Sequence, residues 1–250
     1  MVQNPLELAY RVFFSRPIAW GRFYGRYSDF DSALRDAPGT LPRDFDIEEA
    51  GGMYRERLER IHIEDYPIIH WLHRKAPPGS RIFDLGGHVG IARHAFGRLI
   101  PLDETEWVCQ DLPAVARAGQ ALLERRPAPG LRFTSDIADG DGAGIWLALG
   151  SIQYFDWRLA DRLEALTNPP HTVILSKTPI HPIFDAVTLQ NTGLSICPYR
   201  VFADGPFAMS MRRAGYRLVE RWKNPGLSCL IPFHPEISVP AYTGLLFERT

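Results

Sequence analysis

Apolar and polar positions change their period twice along this chain of 250 residues. Over 52–75, Tyr54, Leu58, Ile61, Tyr66, Ile69 and Leu72 recur at near-helical spacing up to the Pro77-Pro78-Gly79 break, which predicts one helix. From residue 80 short apolar runs take over, and 81–85, 107–111, 131–134, 145–149 and 172–175 read as buried strands. Between them 91–100, 113–126 and 158–166 read as helices, with Pro113 suited to a first helical turn. Strands alternating with helices predict βαβ units and a parallel sheet covered on both faces. The alternation stops at 216–222 and 242–247, two strand-like runs joined only by a loop, which predicts an antiparallel pair closing one edge. The expected fold class is α/β, a mostly parallel seven-stranded sheet over residues 76–250, preceded by an N-terminal helical extension over 1–75.

Composition narrows the field. Hydrophobic residues make up 45% and charged residues 23%, as in ordinary globular domains. Lys plus Arg number 28 against 29 Asp plus Glu, so no cationic excess is present to hold a nucleic-acid backbone. Cys109, Cys197 and Cys229 form no CxxC pair, which argues against a disulfide framework or a cysteine zinc site and for a reducing, cytoplasmic setting. No stretch approaches a membrane span, and Arg11, Arg16 and Pro17 interrupt any signal-like run at the start.

Candidate chemistry collects at the predicted strand ends. Phe83-Asp84-Leu85-Gly86-Gly87-His88-Val89-Gly90 is a glycine turn between a strand and a helix, where a ligand can approach bare backbone. Its spacing fails the dinucleotide pattern Gly-x-Gly-x-x-Gly from either glycine. It fits instead the Asp/Glu-x-Gly-x-Gly-x-Gly pattern of S-adenosylmethionine enzymes, with His88 at the middle glycine. In Gln110-Asp111-Leu112-Pro113, Asp111 ends the second strand, where a carboxylate can accept both ribose hydroxyls or serve the first turn of the next helix. After the third strand, Asp136 suits an adenine amino group and Ile137 the ring, although the surrounding acids also read as a solvated loop. Gly150 and Ser151 leave room at the fourth strand end, and Gln153 and Tyr154 offer polar tips. Ser176-Lys177-Thr178-Pro179-Ile180-His181 follows the fifth strand on the same edge. In an open parallel sheet that edge is where ligands bind.

Taken in order, Asp-Leu-Gly-Gly-x-x-Gly, Gln-Asp-Leu-Pro, Leu-Gly-Ser-Ile-Gln-Tyr and Lys-Thr-Pro resemble a bacterial family of class I methyltransferases. Trp20-Gly21-Arg22-Phe23-Tyr24-Gly25 and Tyr242-Thr243-Gly244-Leu245-Leu246-Phe247 extend the resemblance over nearly the whole chain. Members of that family often lie among genes for surface polysaccharides and specialised metabolites. The resemblance implies the Rossmann-like class I methyltransferase sandwich, S-adenosylmethionine as cofactor, and a small-molecule or glycan-precursor acceptor. The family's usual Asp-Arg-Thr-Pro stands here as Ser176-Lys177-Thr178-Pro179, which keeps the positive charge and loses the acid. The His-Asp-Trp that supplies the base in some O-methyltransferases is replaced by Ser151-Ile152-Gln153-Tyr154.

These motifs lead to the expectation of a metal-independent O-methyltransferase. Asp84, Gly86, Gly87, His88, Gly90, Asp111, Leu112, Asp136, Ile137, Gly150 and Ser151 are expected around the cofactor. His181 is the candidate base and Tyr154 the candidate orienting group. No metal ligands are assigned, because no His, Asp or Glu grouping has ligand spacing. Phe13, Phe14, Trp20, Phe23, Tyr24 and Tyr27, interleaved with Arg, are expected to wall an acceptor pocket over 10–30. Arg16-Pro17 and Gly21 split those aromatics, so no long amphipathic helix with one lipid-facing stripe is expected there, and the segment reads as pocket wall and not as a membrane anchor. The competing expectation is a non-catalytic partner protein that keeps the fold, favoured by His88 and the missing His-Asp-Trp.

Overall fold

The structure is a computed structural model that describes residues 4–53 and 55–250. Before the main sheet come α1 (Pro5–Phe14), β1 (Arg22–Tyr27), α2 (Phe30–Asp36) and α3 (Tyr66–Lys75). The sheet then begins with β2 (Arg81–Leu85), α4 (Ile91–Phe96), β3 (Glu106–Gln110), α5 (Pro113–Arg125) and β4 (Leu131–Thr134). It continues through β5 (Ile145–Leu149), α6 (Leu159–Glu164) and β6 (Thr172–Thr178). An inserted stretch holds β7 (Ile180–His181), β8 (Ala186–Asn191) and β9 (Ile196–Ala203), and α7 (Asp204–Arg213), β10 (Tyr216–Asn224) and β11 (Tyr242–Arg249) complete the chain.

Seven strands form the main sheet in the order β10-β11-β6-β5-β2-β3-β4. The five strands from β6 to β4 run parallel, and β11 and β10 are antiparallel, as the sequence pattern predicts. Both faces are covered, which is why these strands are almost continuously apolar. Phe83, Leu85, Trp146, Val173 and Phe247 pack on one side with α6 and α7. Ile82, Trp107, Leu147, Ile174 and Leu246 pack on the other with α3 and α4. Strand order reverses around β2, whose neighbours are β3 on one side and β5 on the other, so a crevice opens above its carboxyl end.

Two expectations need correction. The helix expected over 52–75 is α-helical only over Tyr66–Lys75, preceded by short 3-10 turns at Arg55–Leu58 and Ile63–Asp65. Pro67 lacks an amide hydrogen and clashes with a preceding helical turn, so it fits the first turn of α3 and not the interior of a longer helix. Tyr54, included in that expectation, lies outside the described residues. The N-terminal extension is also not wholly helical. Its strand β1 pairs antiparallel with β8, β8 with β9, and β9 parallel with β7, giving a second sheet that the sequence reading did not contain. Phe14, Tyr24 and Phe30 sit in one core of this layer, and Phe23 packs edge-on to Tyr199 in another. The aromatics of 10–30 therefore divide: Phe14, Phe23 and Tyr24 are buried, whereas Phe13 and Trp20 face outward.

Candidate active site

The site is built where β2, β3, β4, β5 and β6 end. Gly86 follows β2 with φ +68, a conformation open to glycine. A Cβ there would lie 2.4 Å from Cβ of Ser151, so the bare backbone is required by the neighbouring strand end. Ser151 is itself buried and donates its hydroxyl to the Leu85 carbonyl at 2.5 Å, tying the end of β5 to that of β2. Gly87 is packed as tightly, with Asp84 Oδ2 2.4 Å from where its Cβ would stand. The amides of Gly86 and Gly87 both donate to the Gln110 carbonyl, at 2.8 and 3.2 Å. Gly90, at φ +77, starts α4.

Two carboxylates flank this turn. Asp84 is buried, with Oδ2 accepting from Trp107 Nε1 at 3.2 Å, and Oδ1 has no partner among the described residues. Burial raises its pKa to about 7; Asp111 raises it further, while Trp107 and Lys177 act the other way. Asp111, half-buried at the end of β3, accepts the His88 amide on Oδ2 and the Leu112 amide on Oδ1, both at 2.8 Å. Burial raises its pKa to about 6 against these two hydrogen bonds. Beside Asp111, Leu112 is exposed ahead of α5.

His88 occupies the turn at φ 57, unusual for a residue with a side chain. Its Nε2 lies 2.9 Å from the Ala50 carbonyl, so the ring anchors the 3-10 turn Glu48–Gly52 from the N-terminal segment. Burial lowers its pKa to about 4 and keeps it neutral. Next to Asp111, whose amide donates to the Thr134 carbonyl, Asp136 is exposed and caps the turn Ile137–Gly140 through the Ala138 amide. Ile137 is half-buried at the same strand end.

The ends of β5 and β6 carry a polar cluster only partly visible in the sequence. Lys177 has φ 56, and its side chain passes Gly150, whose Cβ would meet that of Lys177 at 3.4 Å. It reaches Asp65 just ahead of α3, Nζ to Oδ1 at 2.8 Å, with the two side chains 14% and 8% exposed. The Lys177 amide donates to Asn224 Oδ1 at 3.2 Å, which holds the left-handed backbone from β10. Gln153 Nε2 lies 3.5 Å from the Lys177 carbonyl. Gln153 Oε1 and Asn224 Nδ2 are buried with no partner among the described residues. Asp65 and Asn224 escaped the sequence reading. The Asp65-Tyr66-Pro67 start signal could have exposed Asp65; nothing local marks Asn224.

The two candidate catalytic groups stand apart from this cluster in their bonding. Tyr154 is partly exposed, donates to Gln190 Oε1 on β8, and sets its ring edge-on to Tyr199. His181 accepts two amide hydrogens on Nδ1, from Ile183 at 3.0 Å and Phe184 at 2.8 Å. An Nδ1 lone pair used in this way puts the ring proton on Nε2. Burial lowers the pKa of His181, opposed by the backbone of Glu236. Among the described residues no group of three or more His, Cys, Asp or Glu side chains converges to hold a metal ion.

No protein-family model and no curated protein matches this sequence. Solved structures do match its fold. A chain of the complex between the Haloferax volcanii Trm112 methyltransferase activator and a candidate methyltransferase superposes with TM-score 0.54 at 14% identity, covering 84% of this chain and 99% of that one. The Burkholderia thailandensis 1,6-didemethyltoxoflavin-N1-methyltransferase, solved with its substrate and S-adenosylhomocysteine, gives 0.50 at 16% identity, covering 100% and 92%. The magnesium protoporphyrin IX methyltransferase of Synechocystis PCC 6803, with bound S-adenosylhomocysteine, gives 0.50 at 12%, covering 74% and 81%. The architecture is that of the class I methyltransferases. At these identities the likeness is one of fold.

Proposed function

We propose that this chain is an S-adenosylmethionine-dependent methyltransferase that methylates an oxygen of a small molecule or glycan precursor without a metal ion. The observation that carries the reading is the grouping of Asp84, the Gly86-Gly87 turn and Asp111 at adjacent strand ends where strand order reverses. The residues fit the cofactor. Each Asp111 oxygen accepts one amide and keeps a lone pair for a ribose hydroxyl. Asp84 Oδ1, buried and unpaired, suits the cofactor's amino group. Asp136, Ile137 and Leu112 suit adenine, while Gly87, His88, Gly90, Gly150 and Ser151 shape the wall beside the methionine part. When bound, the cofactor supplies an electrophilic methyl carbon on a sulfonium.

Lys177, Gln153 and Asn224 then face the acceptor side. A cation and two buried polar atoms without partners favour a hydroxyl-bearing or acidic acceptor over an apolar one. The protein's task is alignment of acceptor oxygen and methyl carbon, with the oxygen's proton passing to water or a nearby base. We read Tyr154 as an orienting group and His181 as a positioning residue for the turn after β7, since its Nδ1 is occupied by two amides. Division into residues 1–75 and a cofactor domain from 76 remains our reading of the chain.

A second reading, a partner protein that keeps the fold without catalysis, is favoured by Lys177 lying over Gly150 on its way to Asp65. Calorimetry with S-adenosylmethionine and S-adenosylhomocysteine separates the two. Binding, together with the mass gain of one methylene on a candidate acceptor, supports the enzyme. Absence of binding to the folded chain overturns it in favour of the partner.

A further inference from the structure

Helix α1 is turned with its polar side inward. Along Pro5–Phe14, Tyr10 donates its hydroxyl to the Phe23 carbonyl, Arg11 pairs with Asp36 at 2.7 Å and lies over the Tyr24 ring, and Phe14 is buried. At 3.6 residues per turn these positions share one side of the helix. The opposite side shows only apolar residues, among them Leu6, Leu8, Val12 and Phe13. Further exposed apolar residues follow directly after the helix: Ile18 in the 3-10 turn Pro17–Ala19 is 80% exposed, and Trp20 after it 60%.

A third segment joins the same patch. Phe233 is partly exposed at φ 67, a strained conformation for a bulky residue, and its ring lies 5.9 Å from that of Tyr10, which is 5.9 Å from Phe13. Exposed apolar surface of this extent marks an interaction site. Within residues 4–22 the exposed charges have one sign, and Glu236, near Phe233, is engaged by Arg26 and His234. Arg16 and Arg22 are exposed and in no ion pair among the described residues, and Glu7, the single acid in residues 4–22, is half-buried on the inward side.

We propose that this face docks onto an anionic lipid bilayer surface. Aliphatic side chains and Trp would enter the interfacial layer while Arg16 and Arg22 meet phosphate headgroups, the arrangement that holds amphipathic segments in the plane of a membrane. A second copy of the chain is the poorer occupant, because a symmetric contact would bring both arginine pairs together with no exposed carboxylate from residues 4–22 to meet them. The proposal needs no spanning helix, and none of the described helices is long and apolar enough to cross a membrane.

The test is co-sedimentation of the full chain with vesicles of mixed phosphatidylglycerol and phosphatidylcholine, against phosphatidylcholine alone, at low and high salt. Two variants accompany it, Arg16→Glu/Arg22→Glu and Ile18→Ser/Trp20→Ser, with melting temperatures matched to the parent. Salt-weakened binding to the anionic vesicles alone, reduced about tenfold or more in both variants, is the expected result. Equal binding by parent and variants, or no binding by the parent, overturns the proposal. So does a concentration-dependent dimer that Ile18→Ser/Trp20→Ser dissolves, which would make a second copy the occupant.

Discussion

Asp111 takes the backbone amide of His88 at 2.8 Å, so the end of β3 and the turn behind β2 are held as one unit. The same carboxylate takes the Leu112 amide, and both interactions form ahead of any ligand. A ribose arriving at Asp111 would thus meet an oriented acceptor.

Replacing that acceptor should separate binding from folding. Asp111→Ala leaves two amides and the ribose hydroxyls unpaired, a loss of about 1.5–3 kcal/mol for each charge-assisted hydrogen bond. Affinity for S-adenosylhomocysteine should fall about tenfold or more, measured by calorimetry on protein shown to be folded by circular dichroism. Unchanged affinity would remove Asp111 from the cofactor site.

Gly86→Val should act first on stability. The φ of +68 and the 2.4 Å approach to Ser151 together predict strain plus overpacking, on the order of 2–4 kcal/mol. The melting temperature should drop clearly, and an unchanged value would show that the turn yields to a side chain.

Stability should also depend on Asp84. Burial lifts its folded pKa to about 7, above the ordinary carboxylate value, so the folded state holds a proton that the unfolded chain releases. That contribution is complete below about pH 4 and is lost as pH rises toward 7; Asp111, raised to about 6, acts in the same direction. Asp84→Asn should flatten the decline in melting temperature between about pH 4 and pH 7, and it keeps an acceptor for Trp107. A slope identical to the parent's would contradict the assignment.

Lys177 and Asp65 form a pair of nearly buried charges. Removing one partner, in Lys177→Met or Asp65→Leu, leaves the other charge uncompensated, a loss of about 3–5 kcal/mol at a fully buried site and less at this partly exposed one. The double variant should recover most of that stability in chemical denaturation. If the proposed acceptor side is right, it should still bind S-adenosylhomocysteine while losing methyl transfer.

His181→Ala tests positioning against catalysis. Loss of the acceptor for the Ile183 and Phe184 amides should lower stability by about 1–2 kcal/mol. Turnover should then fall modestly and keep its pH profile. Loss of the acidic-limb pKa together with nearly all turnover would restore His181 as the base.

Much of the main sheet was legible before any coordinates. Strands at Arg81–Leu85, Leu131–Thr134 and Ile145–Leu149 coincide with the apolar runs, because burial on both faces of a parallel sheet writes itself into contiguous residues. The glycine turn and Asp111 were legible for a related reason: strand, turn and helix start lie within a few residues of one another. The second sheet was not. β1 mixes three aromatics with Arg22, Gly25 and Arg26 without a strict alternation, and its partner β8 lies 160 residues or more further on, as in the bond from Thr188 to Tyr24.

For the parallel part of the main sheet, the sequence by itself determined the element types, the order in which strands and helices alternate, and which strand ends carry glycine or acid. Periodicity and turn chemistry are local, and those features depend on little else. Tertiary structure alone decided that Asp65 meets Lys177 across 112 positions, that Asn224 pins the Lys177 backbone, and that α1 turns its apolar side outward. A hydrophobic pattern states which residues share a helix face but not what that face will find. For α1, Asp36, Phe23 and Tyr24 supplied better partners for Tyr10 and Arg11 than any apolar surface supplied for Leu8 and Val12.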